Sequence, residues 1–260
     1  MAVAVPDILA KIIGRKRAEL SARAAHRADW ERSAAGRSPA RDFKAALTAQ
    51  PPAIISEIKQ ASPSRGVFTG DFRPAAIAQM YASGGAAALS VLTDNEFFRG
   101  DLADLEAARA AVSLPVLRKD FTIDELQIVE AAAHGADAIL LIAAILDSFQ
   151  LREFRILAAR YGMASLVEVH DDDELDAALA SDAEIIGVNN RNLHTFEVTV
   201  ETSLRLVKRI PASVVKVAES GIHSQADVRT LRAAGFQAFL VGEHLMKSAD
   251  PAAALRALRA

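Results

Sequence analysis

The sequence predicts an α/β protein: a (β/α)8 barrel preceded by a helical extension. Three features lead there. After Gly70 a helical stretch, a small-residue turn and an apolar strand recur in strict alternation, and with the strand opening at Ala53 the strands number eight. The strands are continuously apolar, as in parallel sheets covered on both faces. No G-x-G-x-x-G turn occurs, although an open, dinucleotide-binding sheet would often carry one. Eightfold alternation closes a barrel more readily than it fills an open sheet, and 260 residues suit one TIM barrel forming a single domain over 1–260.

Residues 1–50 form the expected extension. From Asp7 to about Ala25, Ile8, Leu9, Ile12, Ile13 and Leu20 mark one helical face, and Lys11, Arg15, Lys16, Arg17 and Arg23 mark an opposite, solvated one. Residues 32–40 read as a polar connector and 41–49 as a short helix. The first strand then runs from Ala53 into a loop, Ser62-Pro63-Ser64-Arg65-Gly66. The following strands are expected at Ala87–Leu92, Pro115–Lys119, Ala138–Ile142, Ala164–Val169, Glu184–Asn189, Val214–Glu219 and Ala238–Val241. The helices between them are expected at Arg73–Ser83, Leu102–Ala111, Asp124–His134, Ser148–Tyr161, Asp172–Ala180, Val200–Ile210 and Gln225–Ala234, with a last one after Asp250. Glycines at 84–85, 135, 162 and 235 sit where a helix ends in a left-handed residue.

Composition narrows the function. Apolar residues make up 51% and aromatics only 5%, which favours close helix–sheet packing over an aromatic-rich β-sandwich. A net charge of −3 gives no general attraction to nucleic acid or membrane. Without cysteine there are no disulfides, thiolate metal sites or thiol nucleophile, which fits a cytoplasmic protein. The longest apolar run, Ala138 to Leu146, is bounded by Asp137 and Asp147 and falls short of the ~18 residues a spanning helix needs. No secretory signal pattern opens the chain. The six histidines, His26, His134, His170, His194, His223 and His244, have no ligand spacing, so neither a metal nor another cofactor is expected.

The strand ends carry the chemistry. In the first strand Glu57 and Lys59, two apart, share a face and point inward if Ile54 and Ile58 pack outward. The third strand ends with Lys119-Asp120, the fifth with Glu168, the sixth with Asn189 and Arg191, the seventh with Glu219-Ser220-Gly221 and the eighth with Gly242-Glu243. Singly, each has a structural explanation. Asp171–Asp173 read as helix-start carboxylates, Asn189–Asn192 as turn residues, Asp120 as a turn cap, and Thr122 with Glu125 as a capping box. Jointly, so many charged groups at carboxyl ends exceed what rim stability needs and point to a catalytic site. The glycine turns after strands seven and eight suit a phosphate held by backbone N–H groups.

These residues resemble the indole-3-glycerol phosphate synthase family of tryptophan biosynthesis. The likeness rests on EIKQASPSRG (57–66), LRKDF (117–121), LVEVH (166–170), GVNNRNL (187–193), AESGI (218–222) and VGEHLM (241–246). It implies ring closure of 1-(2-carboxyphenylamino)-1-deoxyribulose 5-phosphate with loss of carbon dioxide and water. Lys119 would be the principal acid and Glu168 the carboxylate for dehydration. Lys59 would orient phosphate and carboxylate, Asn189 would bind sugar hydroxyls, and Glu57 and Glu219 would position the lysines. Arg191 would contact the anthranilate carboxylate, Ser62 and Phe121 would contact substrate, and Ser220, Gly221, Gly242 and Glu243 would line the phosphate. The implied partner is a small phosphorylated molecule, bound by a monomer or weak homo-oligomer. Two positions depart from the family pattern: Arg65, where lysine is commoner, and His244, expected to face solvent. Phosphoribosylanthranilate isomerase, a related barrel, relies on a cysteine that this chain lacks. A phosphosugar-binding barrel without catalysis is the alternative of another class, and Lys59, Lys119 and Glu168 argue against it.

Overall fold

The protein is described by a computed structural model covering residues 7–63, 65–193 and 195–260. Ser64 of the first loop and His194 lie outside the described residues. Eight parallel strands close into a barrel: β1 (Ala53–Ile58), β2 (Ala88–Leu92), β3 (Val116–Lys119), β4 (Ala138–Ile142), β5 (Ala164–Val169), β6 (Ile185–Asn189), β7 (Val215–Glu219) and β8 (Ala238–Val241). Closure comes from β1, which pairs with β8 through Ala53 and Ala238 and with β2 through Ile55 and Ala88.

Three helices precede the barrel, α1 (Asp7–Arg23), α2 (Arg27–Ala35) and α3 (Phe43–Ala49). Eight more surround it: α4 (Pro74–Gly84), α5 (Leu102–Ala111), α6 (Glu125–Ala133), α7 (Ser148–Arg160), α8 (Asp172–Ala180), α9 (Glu201–Leu206), α10 (Gln225–Ala234) and α11 (Pro251–Arg259). Most start at a side-chain cap, with Asp101, Asp124, Asp147, Asp171, Ser224 and Asp250 each accepting a backbone N–H of the first turn.

Strand periodicity sorts the core into two layers. Ile54, Ile58, Leu89, Val91, Ile139 and Leu141 face outward and pack with the helices. Ile55, Leu117, Leu140, Leu166, Val217 and Leu240 face inward. Phe43 and Leu47 of α3 join the inner layer among the residues that open the strands, Ala53, Ala88 and Ala138, so α3 seals the amino-terminal end of the barrel. The open end is left to the residues that continue the inward phase past the last apolar layer.

Several expectations change. Residues 32–35 are the last turn of α2 rather than connector, and the connector proper begins at Gly36. Thr122 and Glu125 form no capping box, because Asp124 is the N-cap of α6 and its side chain accepts from the Leu126 N–H. Asp171 does cap α8, but Asp172 turns outward to pair with Arg205 and Arg209. Lys16 is not on a solvated face. It is buried, 2.9 Å from Asp94 Oδ2 and 2.8 Å from Asp120 Oδ1. Asp120 is accordingly more than a turn cap. It also accepts from Thr93 Oγ1 (2.6 Å) and pairs with Arg118 (3.2 Å), which in turn pairs with Glu130 at 2.7 Å.

Candidate active site

At the carboxyl end of the strands lies a cavity of about 490 Å³. Every residue proposed from the sequence lines it: Glu57, Lys59, Ser62, Lys119, Phe121, Glu168, Asn189, Arg191, Glu219, Ser220, Gly221, Gly242 and Glu243. The reason is register. Glu57 follows inward Ile55 by two residues, Lys119 follows Leu117, Glu168 follows Leu166 and Glu219 follows Val217. The same step carries Asn189 in from Ile185 through Gly187, and Gly242 from Leu240.

The polar floor holds two lysines and three carboxylates. Lys119 Nζ stands 3.2 Å from Glu168 Oε2, and Lys59 forms a close ion pair with Glu57. Burial alone would lower the Lys119 pKa. The carboxylates of Glu168, Glu219 and Glu57 outweigh it and hold the ammonium protonated well above its ordinary range. Burial would raise the Glu168 pKa, yet Lys119, His170 and Asn189 hold it ionised, below the usual carboxylate range. Glu219 is pushed the other way, up to about 8, by burial and by the negative charge of Glu168. Two neighbouring carboxyl groups are thus driven in opposite directions, the arrangement that divides acid and base roles.

Asn189 is oriented from behind. Its Oδ1 accepts from the Arg191 N–H (3.0 Å) and from Ser220 Oγ (2.8 Å), which leaves its amide N–H group to donate toward Glu168. Ser220 and Gly221 are both left-handed, with φ of 64° and 74°. Backbone held in that region by a non-glycine residue clusters at functional turns, where successive N–H groups form an anion-binding concavity. Gly242 makes room for the ion pair: a Cβ there would collide with Glu57 Oε1 and crowd Lys59 Nζ, so the two side chains would have to shift.

The remaining walls are apolar. Ile8, Leu9 and Ile12 of α1 form one side, and Phe98 and Phe121, 6.1 Å apart between ring centroids, form another. The first loop folds as a small hairpin, Ala61–Ser62 against Gly66–Val67. It brings Arg65 Nε to 3.2 Å from Glu243 Oε1, across the mouth. His244 does not point freely to solvent. It is half-buried in the cavity wall beside His223, with ring centroids 6.3 Å apart, and burial together with His223 lowers its pKa. Among the described residues, no group of three or more His, Asp or Glu side chains could hold a metal ion.

Sequence reasoning assigned no role to three residues of this region. Gly187 leaves the space Glu219 occupies, since a Cβ there would collide with Glu219 Oε1. Lys16 ties α1 to the loop after Lys119. His170 stands behind Glu168. The one signal available in advance was phase, because His170 continues the inward alternation of Leu166 and Glu168.

Comparison with known proteins points one way. The family described as indole-3-glycerol phosphate synthase matches residues 9–258. The indole-3-glycerol phosphate synthase of Chromobacterium violaceum is 52% identical over 258 residues, 97% of each chain. That of Aromatoleum aromaticum is 52% identical over 258 residues, 97% of this chain and 98% of its own. Among solved structures, thiamine phosphate pyrophosphorylase from Pyrococcus furiosus superposes with a TM-score of 0.61 at 15% identity, covering 84% of this chain and 96% of its own, a likeness of fold alone.

Proposed function

This chain belongs to the indole-3-glycerol phosphate synthase family, and we propose that its cavity closes the indole ring of 1-(2-carboxyphenylamino)-1-deoxyribulose 5-phosphate, acting as a carboxy-lyase. The observation that carries the reading is the Lys119–Glu168 pair at 3.2 Å on the cavity floor, a held proton beside a held negative charge.

The substrate has an anionic tail, a polar middle and an aromatic head, and the cavity is divided in the same way. The phosphate lies on the Ser220–Gly221 and Gly242–Glu243 turns, with Lys59 supplying charge. The aromatic ring lies against Phe98, Phe121 and the α1 side chains, and Arg191 takes its carboxylate. Asn189 holds the sugar hydroxyls, and Ser62 closes from the first loop.

Lys119 then faces the ribulose carbonyl oxygen. As the ring carbon attacks, negative charge develops on that oxygen, and an ammonium already in place stabilises it and protonates it. Loss of carbon dioxide restores the aromatic ring. Dehydration follows: Glu168 takes the proton released as the new double bond forms and returns it to the hydroxyl made from the carbonyl oxygen, which leaves as water, while Lys119 regains its proton from solvent. Glu57 and Glu219 keep the two lysines in register.

The extension and barrel work as one unit, since α1 supplies both an apolar wall and the Lys16 tie. We take the chain to act in the cytoplasm as a monomer or weak homo-oligomer. Among the described residues, no helix is long and apolar enough to cross a membrane.

The test is indole-3-glycerol phosphate formation by the intact protein beside Lys119→Ala. Loss of about 100-fold or more in kcat is expected, the size seen when one preorganised transition-state donor is removed. Near-normal turnover by the variant would move the acid to Lys59. No turnover by the intact protein would overturn the reading.

A further inference from the structure

His170, its side chain 10% exposed, is a titratable group to which the mechanism above gives no task. Its Nδ1 lies 2.9 Å from Glu174 Oε2, and the same oxygen accepts the His170 backbone N–H at 2.9 Å. On the opposite side of the ring, Nε2 is buried and lies 3.4 Å from Glu168 Oε1, short of hydrogen-bond geometry. The other oxygen of Glu168 faces Lys119. Charge therefore alternates along one line, from Lys119 through Glu168 and His170 to Glu174.

The chemistry of imidazole decides what His170 is in this place. Either neutral tautomer carries one N–H and one lone pair. With a carboxylate oxygen on each side, one lone pair would face an anion in a largely buried setting, which is repulsive. Only the doubly protonated ring offers an N–H to both neighbours. The other charged groups nearby are engaged elsewhere. Asp171 accepts the Glu174 backbone N–H, Asp172 is held by Arg205 and Arg209, and Lys119 and Glu219, with the neutral Asn189, interact with Glu168 rather than the ring.

We propose that His170 is a positioning residue for ring closure: an imidazolium clamped by Glu174 that fixes one oxygen of Glu168, so that the other is presented, ionised, to Lys119 and the reacting carbons. The inference rests on the reading of Glu168 as the carboxylate of the dehydration step. His170 does not line the cavity and transfers no proton itself. When Lys119 shifts its hydrogen bonding to the carbonyl oxygen, Glu168 loses a partner at the moment it must stay charged and aimed, and the buried Nε2–H is placed to hold it.

His170→Gln and Glu174→Gln would be assayed for kcat and KM between pH 5 and 9, beside Glu168→Gln. For His170→Gln we expect kcat to fall about 10- to 100-fold with KM nearly unchanged, the usual cost of removing a partner that orients a reacting group. Its acid limb should rise by about one pH unit, because Glu168 loses a cation that keeps it ionised. Glu174→Gln should move both quantities the same way by less. An equal loss at every pH would overturn the proposal, since a merely structural role predicts that result.

Nitrogen-15 spectra of the histidine rings in the full-length protein at pH 8 give a readout that needs no variant. Both His170 ring nitrogens should be protonated, and a neutral ring overturns the inference. Normal turnover by Glu168→Gln would instead remove the reading beneath it. An inactive Glu168→Gln beside a normal His170→Gln would remove this inference alone.

Discussion

Lys16 Nζ lies 2.8 Å from Asp120 Oδ1, joining the first helix to the residue that follows Lys119. Asp94, buried completely, receives the same ammonium at 2.9 Å. The extension is therefore fastened beside the catalytic strand by a buried cation shared between two loops, and its apolar face can serve as a wall of the cavity.

Lys16→Met leaves Asp94 and Asp120 buried with less compensation. Breaking one side of a buried pair destabilises by about 3–5 kcal/mol, to be read from urea unfolding at pH 7. Burial would raise the Asp120 pKa, but Arg118 and Lys16 hold it well below the carboxylate range. Its contribution is thus present above the unfolded pKa and lost as pH falls through the folded one. The gap between wild type and variant should be wide at neutral pH and shrink below about pH 4. A gap that stays constant into acid would contradict the assignment.

Glu219 gives the opposite sign. Its pKa is raised to about 8, so its contribution is complete below the unfolded value of 4.5 and lost as pH rises through about 8. The wild-type Tm should decline between pH 6 and pH 9, while Glu219→Gln, neutral throughout, should follow a flatter curve. Parallel curves would mean that Glu219 is already ionised at neutral pH.

Much of this site could be read from the chain because strand phase is a local property. Once Ile55, Leu117, Leu166 and Val217 are placed inward, the residues two positions later must follow. Part of what escaped depends on neighbours distant in sequence. Lys16 sits in an ordinary cationic stretch, and only Asp94 and Asp120 draw it inside. All of α2 went unread because the helix buries only Ala34, too little to leave an apolar period. His170 carries no sign of its partners until α8 brings Glu174 beneath it.

Gly187→Ala tests close approach within the barrel. A Cβ on Gly187 would occupy the position of Glu219 Oε1, so the carboxyl must rotate away from Lys119. The added methyl lies at the carboxyl end and should cost about 1–3 kcal/mol in overpacking. The kcat should fall by at least about tenfold, since a displacement of about 1 Å in a reacting constellation has effects of that order. Unchanged kinetics would show that the position of Glu219 is not needed.

Leu47→Ala examines the other end. Leu47 is fully buried in α3 among the first residues of the strands, with the inner apolar layers between it and Lys119. Truncation opens a cavity that the surrounding β-sheet cannot readily fill, for a loss of about 2–5 kcal/mol. The urea midpoint should fall with an unchanged m-value, while kcat and KM at 25 °C stay within about twofold of wild type, as expected when stability and chemistry occupy opposite ends of a barrel. A large fall in kcat with little change in midpoint would mean that α3 acts on the site through the barrel interior, and the seal would then have to be counted among the parts that position Lys119.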